Sequence, residues 1–403
     1  MNLIINNDYF NPSNNGIEII ERKGLGHPDS LADMLAKECS RVYSKYCMDN
    51  FGCILHHNFD KLYIGGGCFR YENGKAVMYD KIKIKVNGRV SNTMNHQKID
   101  VEKLLTPVIK EYINHILPRV DVENEVLIDV NCTQNTKLNN WFSPESKDDI
   151  PDTKKLLAND TSLCVSHQPM TLCERIVHET EEFFWNFDDK YPKPKFNNIG
   201  QDIKVMLSRI KNDINITICM PVYNDKFTNL EEYSNIVLYY ERLIQDYIIE
   251  KEKDNLGNNK ITVSVNRNED GSVRMYSLIK GSCIECGEEG VVGRGNNSNG
   301  LIPAFRQHTM ESPFGKNERY HTGRVLSYLG NNISLRIYNE CKISNSIYCL
   351  TRNNNSLMKP FLLYISVDKQ ISNTEKEKIN DIINEELDEE TYLVKILNDT
   401  SIY

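Results

Sequence analysis

The densest chemistry in this 403-residue chain lies between Gly287 and Arg324. The run G-E-E-G-V-V-G-R-G-N-N-S-N-G places Gly287, Gly290, Gly293, Gly295 and Gly300 within a short span. Such a backbone turns tightly and brings its N–H groups close to a ligand. Arg294 lies between two of these glycines, and Lys316 follows Gly315 where a helical pattern is expected to begin. Cations beside bare N–H groups at a helix start suit a polyphosphate. A carboxylate at Glu288 or Glu289 suits Mg2+ held against the phosphates. A glycine-rich surface loop is the competing reading of the same composition. A Walker A motif is excluded, because Met310 stands at its first glycine and Asn317 at its Ser/Thr position.

Other groups have weaker signals. In Lys23-Gly24-Leu25-Gly26-His27-Pro28-Asp29-Ser30, His27 sits at a helix entrance with Asp29 two residues on. A histidine there can donate to a leaving oxygen and an aspartate can ligate Mg2+; a structural His and a first-turn Asp explain the pattern as well. Asp160 and Ser162, in Asn159-Asp160-Thr161-Ser162, suit a ribose or a ligand amine, against simple turn chemistry. Asp202, Lys204 and Met206 share one face of an expected strand, where an Asp–Lys pair serves either phosphates or solvent. His56 and His57 are neighbours on a strand and point to opposite faces, which disfavours a shared metal. Cys283 and Cys286 form a lone C-x-x-C without the second pair that a structural zinc site needs.

The elements that must position these residues repeat an order. Strand Ile17–Arg22, helix Pro28–Tyr46, strands Cys53–Asn58 and Lys61–Cys68, helix Val101–Ile116 and strand Glu125–Val130 read βαββαβ. The order returns in Leu163–His167, Leu172–Trp185, Asp202–Arg209, Ile214–Pro221, Leu230–Ile249 and Lys260–Val265. It returns again in strand Val273–Ile279, the glycine-rich insertion, helix Arg319–Tyr338, strands Ser344–Leu350 and Pro360–Val367, helix Asn373–Leu387 and strand Tyr392–Leu397. The expectation is an α+β protein of three βαββαβ units, residues 1–140, 141–270 and 271–403, around a shared centre.

Composition narrows the partners. A formal charge of −8 argues against non-specific nucleic-acid binding, so an anionic ligand must be met by local cations. No apolar run approaches a membrane span, and the first residues do not read as a secretory signal. The 12 cysteines are therefore expected to be reduced, in a cytoplasmic protein.

Taken together, the segments resemble the archaeal-type S-adenosylmethionine synthetases (methionine adenosyltransferases). The collinear segments are E-R-K-G-L-G-H-P-D-S at 21–30, I-L-H-H-N-F-D at 54–60, L-A-N-D-T-S at 157–162, E-R-x-V-x-E-T-E at 174–181 and D-I-K-V-M at 202–206. They continue with G-x-V-G-R-G-N-x-x-N-G-L-I at 290–302, M-E-S at 310–312 and G-K-N at 315–317. The resemblance implies three βαββαβ units about a pseudo-threefold axis and a homodimer with active sites at the subunit interface. It also implies transfer of the adenosyl group of ATP to methionine sulfur, with release of pyrophosphate and phosphate, using Mg2+ and K+. On this resemblance His27, Lys316 and Arg294 are catalytic, and Asp29 and Glu288 hold the metal. Lys23, Asp160, Ser162, Asp202, Lys204 and Gly293, with Arg294 and Lys316, contact ATP, its triphosphate or the amino acid.

The sequence also departs from that family. Gly287-Glu288-Glu289-Gly290 replaces G-D-D-G, and Lys316-Asn317-Glu318-Arg319-Tyr320-His321-Thr322-Gly323-Arg324 replaces K-N-P-V-N-H-x-G-K. Thr133-Gln134-Asn135 replaces G-Q-G, and Ser356-Leu357-Met358-Lys359-Pro360 replaces an I-G-x-P-like segment, both on the methionine side. Two other functions follow from such divergence: a paralogue that adenosylates another thioether or cleaves tripolyphosphate, and a non-catalytic nucleotide-binding partner subunit.

Overall fold

The computed structural model describes residues 1–133, 142–150 and 155–399, so Gln134 and Asn135 lie outside the described residues. Within them the chain is a mixed α+β protein. Its α-helices are α1 (Pro28–Phe51), α2 (Val101–Ile116), α3 (Leu172–Glu182), α4 (Leu230–Glu252), α5 (Thr322–Cys341), α6 (Asn373–Glu386) and α7 (Tyr392–Leu397).

Three larger sheets share one order of pairing. In the first, Gly290–Val291 runs antiparallel to Tyr63–Gly65, which runs antiparallel to Ile82–Val90, which runs parallel to Val126–Thr133. In the second, Ile17–Lys23 is antiparallel to Lys204–Ile210, then to Asp213–Cys219, which is parallel to Lys260–Val265. In the third, Leu163–Gln168 is antiparallel to Asn345–Leu350, then to Leu362–Val367, which is parallel to Asn2–Asn6. Parallel neighbours require a long crossover, and α2 and α4 supply it in the first two sheets. Each of these three sheets therefore takes a strand from beyond the segment boundaries expected at residues 140 and 270.

Several expected elements change. Tyr392–Leu397 is a helix, because Tyr392 and Ile396, four residues apart, are the buried pair, and the place beside Leu362–Val367 belongs to Asn2–Asn6. Val273–Ile279 contracts to the two-residue strand Ser277–Leu278. Its preceding backbone bonds to the Tyr233 hydroxyl, through Tyr276 N–H at 2.7 Å and Arg274 O at 3.1 Å, and Tyr276 O accepts the Val222 N–H at 3.0 Å. The alternating Ile82–Val90, central in the first sheet, and the N-terminal strand are additions to the sequence reading.

Helix α1 is the central element: residues 28–40 are buried on every side. Pro28 occupies its first turn, where a missing N–H costs nothing, and Gly52 ends it in the left-handed conformation at φ 65°. One apolar core joins α1 to α4 with the first two sheets, and a second gathers α5, α6 and α7 against the third.

Candidate active site

The turn that delivers His27 is held from three sides. Gly24 N–H donates to Ile203 O at 2.7 Å, Leu25 N–H to Glu181 Oε1 at 3.2 Å, and Ser282 Oγ to Gly26 O at 2.7 Å. Glu181 is itself fully buried and receives Arg22 Nε at 3.0 Å and Trp185 Nε1 at 2.6 Å. The glycines are required by close approach: a Cβ on Gly24 would stand 2.6 Å from Ile203 O, and one on Gly26 2.5 Å from the Gln201 carbonyl carbon. The turn therefore packs backbone to backbone against residues 201–203, the segment that carries Asp202.

His27 caps α1, its Nδ1 accepting the Asp29 N–H at 3.2 Å. Burial, followed by the nearby Lys23 charge, lowers its pKa to about 4, so the imidazole is neutral at pH 7. With Nδ1 accepting, the proton resides on Nε2. Lys23 Nζ bonds Asp29 Oδ2 at 2.9 Å and Arg294 O at 2.6 Å, tying the end of its strand, the start of α1 and the glycine-rich loop together.

His27, Asp202, Lys204 and Glu288 line one cavity of about 350 Å³, with Arg274 and Tyr276 on its wall. Asp202 is buried and accepts the Cys283 N–H at 2.9 Å; burial raises its pKa to about 7. Lys204, opposite Lys23 in the sheet, keeps a half-exposed ammonium 3.3 Å from Glu21. The wall thus combines a neutral histidine donor with separated cations and carboxylates, which suits an anionic ligand accompanied by a hard cation.

The glycine-rich loop is oriented differently from the expectation. Gly293 and Gly295 donate their N–H groups to Asp33 Oδ1 and Oδ2, at 2.7 and 3.1 Å, and Val291 donates to Asp29 Oδ1 at 3.2 Å. These amides face α1, so Gly293 is a loop anchor and not a bare phosphate donor. Asp33 was missed by the sequence reading, although its place one turn after Asp29 was the available signal. Its burial pushes its pKa up to about 8, against the pull of the two amides.

Lys316, Asp160 and Ser162 gather elsewhere. Helix α5 begins at Thr322, not beside Lys316, because His321 takes the cap and accepts the Gly323 N–H at 3.2 Å. Lys316 is buried, its Nζ 2.6 Å from Glu311, and its carbonyl accepts from Ser40 Oγ at 3.1 Å. Ser40 is three to four turns down α1 from His27, about 20 Å at the helical rise. The 159–162 segment adjoins α5 through Asn159 Oδ1, which accepts the Thr322 N–H at 2.8 Å. Asp160 Oδ1 accepts the Thr161 N–H at 2.7 Å, and Ser162 donates its N–H to Thr351 Oγ1 at 3.2 Å while its carbonyl accepts the Thr351 N–H at 3.0 Å. The departure at Ser356–Pro360 lies here too, Leu357 N–H reaching Leu156 O at 3.2 Å. Thus His27, Asp29, Lys23, Asp202, Lys204, Glu288 and the Gly293-Arg294 loop form one group, and Lys316, Asp160 and Ser162 another.

His321 is the counterpart of His27 that the sequence reading did not single out. Both cap a helix and accept the N–H two residues on, and burial lowers the His321 pKa to about 3. Elsewhere, His57 is buried between Leu55 O at 3.0 Å and Ser40 Oγ at 2.8 Å, and the His56 ring packs at a tilt of 54° against Tyr320.

Among the described residues no group of three or more His, Cys, Asp or Glu is arranged to hold a metal ion, and no helix is long and apolar enough to cross a membrane. Asp29 and Glu288 nevertheless present oxygen donors near the cavity, one shared with Lys23 and one exposed. That donor set fits an ion that brings phosphate oxygens with it, as Mg2+ does, more than one caged by protein alone.

An α+β scaffold that opens a cavity lined by both cations and carboxylates at the start of its central helix is suited to an anionic ligand accompanied by a hard cation. A family model described as S-adenosylmethionine synthetase (AdoMet synthetase) matches residues 2–400, and the chain belongs to that family. It is 36% identical over 389 residues to an uncharacterized protein of Streptococcus pyogenes serotype M3, covering 96% of this chain and 94% of the relative. It is 34% identical over 372 residues to the S-adenosylmethionine synthase of Methanocaldococcus jannaschii, covering 91% and 88%. It is 33% identical over 327 residues to that of Thermoplasma acidophilum, covering 80% and 78%.

Proposed function

We propose that the chain is an S-adenosylmethionine synthetase. Methionine sulfur attacks C5′ of ATP, the S–C5′ bond forms as the C5′–O bond breaks, and the triphosphate that leaves is hydrolysed to pyrophosphate and phosphate. The observation that carries this reading is the neutral His27, fixed beside Lys23 and Asp29 on a cavity that Lys204 and Arg274 also line. A thioether is already nucleophilic, so the protein's task is to stabilise charge on the departing oxygen. His27 donates its Nε2–H there, and Lys23, Lys204 and Arg294 bind triphosphate. Asp29 and Glu288 would hold Mg2+, which when bound draws charge from the triphosphate. K+ accompanies it in the proposal, with no residues assigned. Asp202 orients the nucleotide from the cavity wall.

The proposal includes a homodimer in which the Lys316, Asp160 and Ser162 group of one chain completes the His27 cavity of its partner. The separation of the two groups along α1 supports it, since a joint site within one chain requires them closer. It also includes three βαββαβ units, divided near residues 140 and 270, about a pseudo-threefold axis. Support comes from the pairing order shared by the three larger sheets, in which Gly290–Val291, Ile17–Lys23 and Leu163–Gln168 hold equivalent places and come from three different units, the second sheet adding Ile302–Pro303 beyond Ile17–Lys23. The test is turnover: Lys316→Ala is expected to lower sulfonium formation more than His56→Ala, and equal losses count against this assignment.

A further inference from the structure

Gln201 and Asp202 are neighbours in the chain that line different cavities. Asp202 belongs to the His27 cavity, whereas Gln201 lines one of about 830 Å³ that shares no lining residue with it. Three segments close around this second cavity: the end of α2 with the turn after it, residues 193–197, and residues 223–226. Arg119, Lys193, Lys195 and Lys226 line it with His115, and the described lining includes no carboxylate. In a chain of formal charge −8 this is a local excess of positive charge. Part of it is paired outside the lining. Arg119 Nη1 meets Asp225 Oδ1 at 2.8 Å, and Lys193 Nζ meets Asp189 Oδ2 at 2.5 Å. Lys226 adjoins Asp225 without an ion pair to it, and Lys195 has no acidic partner among the described residues. Nε and Nη2 of Arg119 donate to no described residue. The wall is also flat and partly apolar. The Arg119 guanidinium carbon lies 3.5 Å from the centroid of the Tyr223 ring, a stacked arrangement that fixes the plane of the cation. Tyr223 is buried, and its hydroxyl donates to Gln201 Oε1 at 2.8 Å, which anchors this platform from beneath. Phe196 adds a half-buried ring, with Lys195 Nζ 5.4 Å from its centroid.

We propose that this cavity is a second ligand site, distinct from the His27 cavity, that takes a phosphorylated aromatic ring of the mononucleotide class. The ring is received by the Arg119–Tyr223 platform and Phe196, and the phosphate by Lys195, Lys226 and the free donors of Arg119. Inorganic phosphate alone engages the cations and leaves the aromatic surface in water. A neutral ring covers that surface and leaves the two lysines without an anion. The volume falls within the range of about 300–1,000 Å³ usual for sites that enclose a small molecule. The inference rests on this cavity alone and is independent of the transfer reaction.

The test is calorimetric titration with AMP and, separately, with inorganic phosphate, in the absence of divalent metal and ATP. The unaltered chain is compared with the double variant Lys195→Glu/Lys226→Glu, with Arg119→Lys and with Lys204→Gln. Charge reversal at the two exposed lysines is expected to weaken AMP binding at least about tenfold. Arg119→Lys keeps the charge but loses the flat fork, and is expected to weaken it at least about fivefold. Lys204→Gln, in the His27 cavity, is expected to change it less than about twofold. Where AMP fills two sites, the one that survives in Lys204→Gln is the one compared. A smaller loss on charge reversal overturns the proposal, as does AMP binding that vanishes in Lys204→Gln, which returns the ligand to the His27 cavity. Phosphate bound as tightly as AMP, or no AMP binding by the unaltered chain, overturns it too. Should Arg119→Lys fail to fold by circular dichroism, the lysine pair decides.

Discussion

Asp33 Oδ1 accepts the Gly293 N–H at 2.7 Å across the interface between α1 and the glycine-rich loop. Oδ2 takes the Gly295 N–H, so one buried carboxyl group binds the loop at two points. Asp33→Ala leaves both amides without their acceptor. The expected cost is about 1–3 kcal/mol of stability, the usual penalty for a stranded buried donor. Urea unfolding measures it, and turnover is expected to fall because Arg294 shares that loop.

A second prediction separates close approach from loop flexibility. A Cβ on Gly290 would stand 2.1 Å from Pro28 O, a backbone atom at the start of α1 that cannot swing aside. Gly290→Ala is therefore expected to destabilise by about 1–3 kcal/mol. Gly16→Ala, where an added Cβ meets nothing within 4 Å, is expected to stay within about 0.5 kcal/mol. Urea midpoints of the two variants at equal slope make the comparison.

Acid stability supplies a third. Burial, then the charge of Arg306, lowers the His167 pKa from 6.5 to about 4. Between these values the unfolded chain binds a proton that the folded chain refuses. Stability is therefore retained above pH 6.5 and falls as pH drops towards 4, with a slope of up to about 1.4 kcal/mol per pH unit for this one group. His167→Gln is expected to show a shallower fall in urea stability over that range; an unchanged slope contradicts the assignment.

Subunit exchange tests the two-chain site. His27→Ala and Lys316→Ala homodimers are each expected to lose about 100-fold or more in turnover. Mixed and re-equilibrated, they form heterodimers in which one site carries both changes and the other carries neither. Activity is expected to return to about a quarter of the unaltered level, since half of the dimers then hold one intact site. No recovery, with exchange verified by mass, places both groups in the same chain's site.

Much of this arrangement was legible in the sequence, for local reasons. His27-Pro28-Asp29 marks the start of α1 through cap, proline and first-turn acid, all within three residues. Strands such as Lys260–Val265 and Leu163–Gln168 follow from short apolar runs. What escaped depends on distant partners. Nothing near Asn2–Asn6 specifies a parallel neighbour at 362–367, and once that place is filled Tyr392–Leu397 is free to fold as a helix. Glycine density identified the loop, but the direction of its amides is set by Asp33, more than 250 residues away. The start of α5 was displaced because His321, not a residue nearer Lys316, supplies the cap.

The central claim is adenosyl transfer, and product analysis tests it most directly. The unaltered protein is incubated with ATP, methionine, Mg2+ and K+, and the products are followed by mass detection and phosphate assay. The account predicts S-adenosylmethionine formed in step with pyrophosphate and phosphate, dependent on methionine and Mg2+, and largely lost in His27→Ala. A folded preparation that binds ATP yet yields neither the sulfonium nor the two phosphates contradicts it.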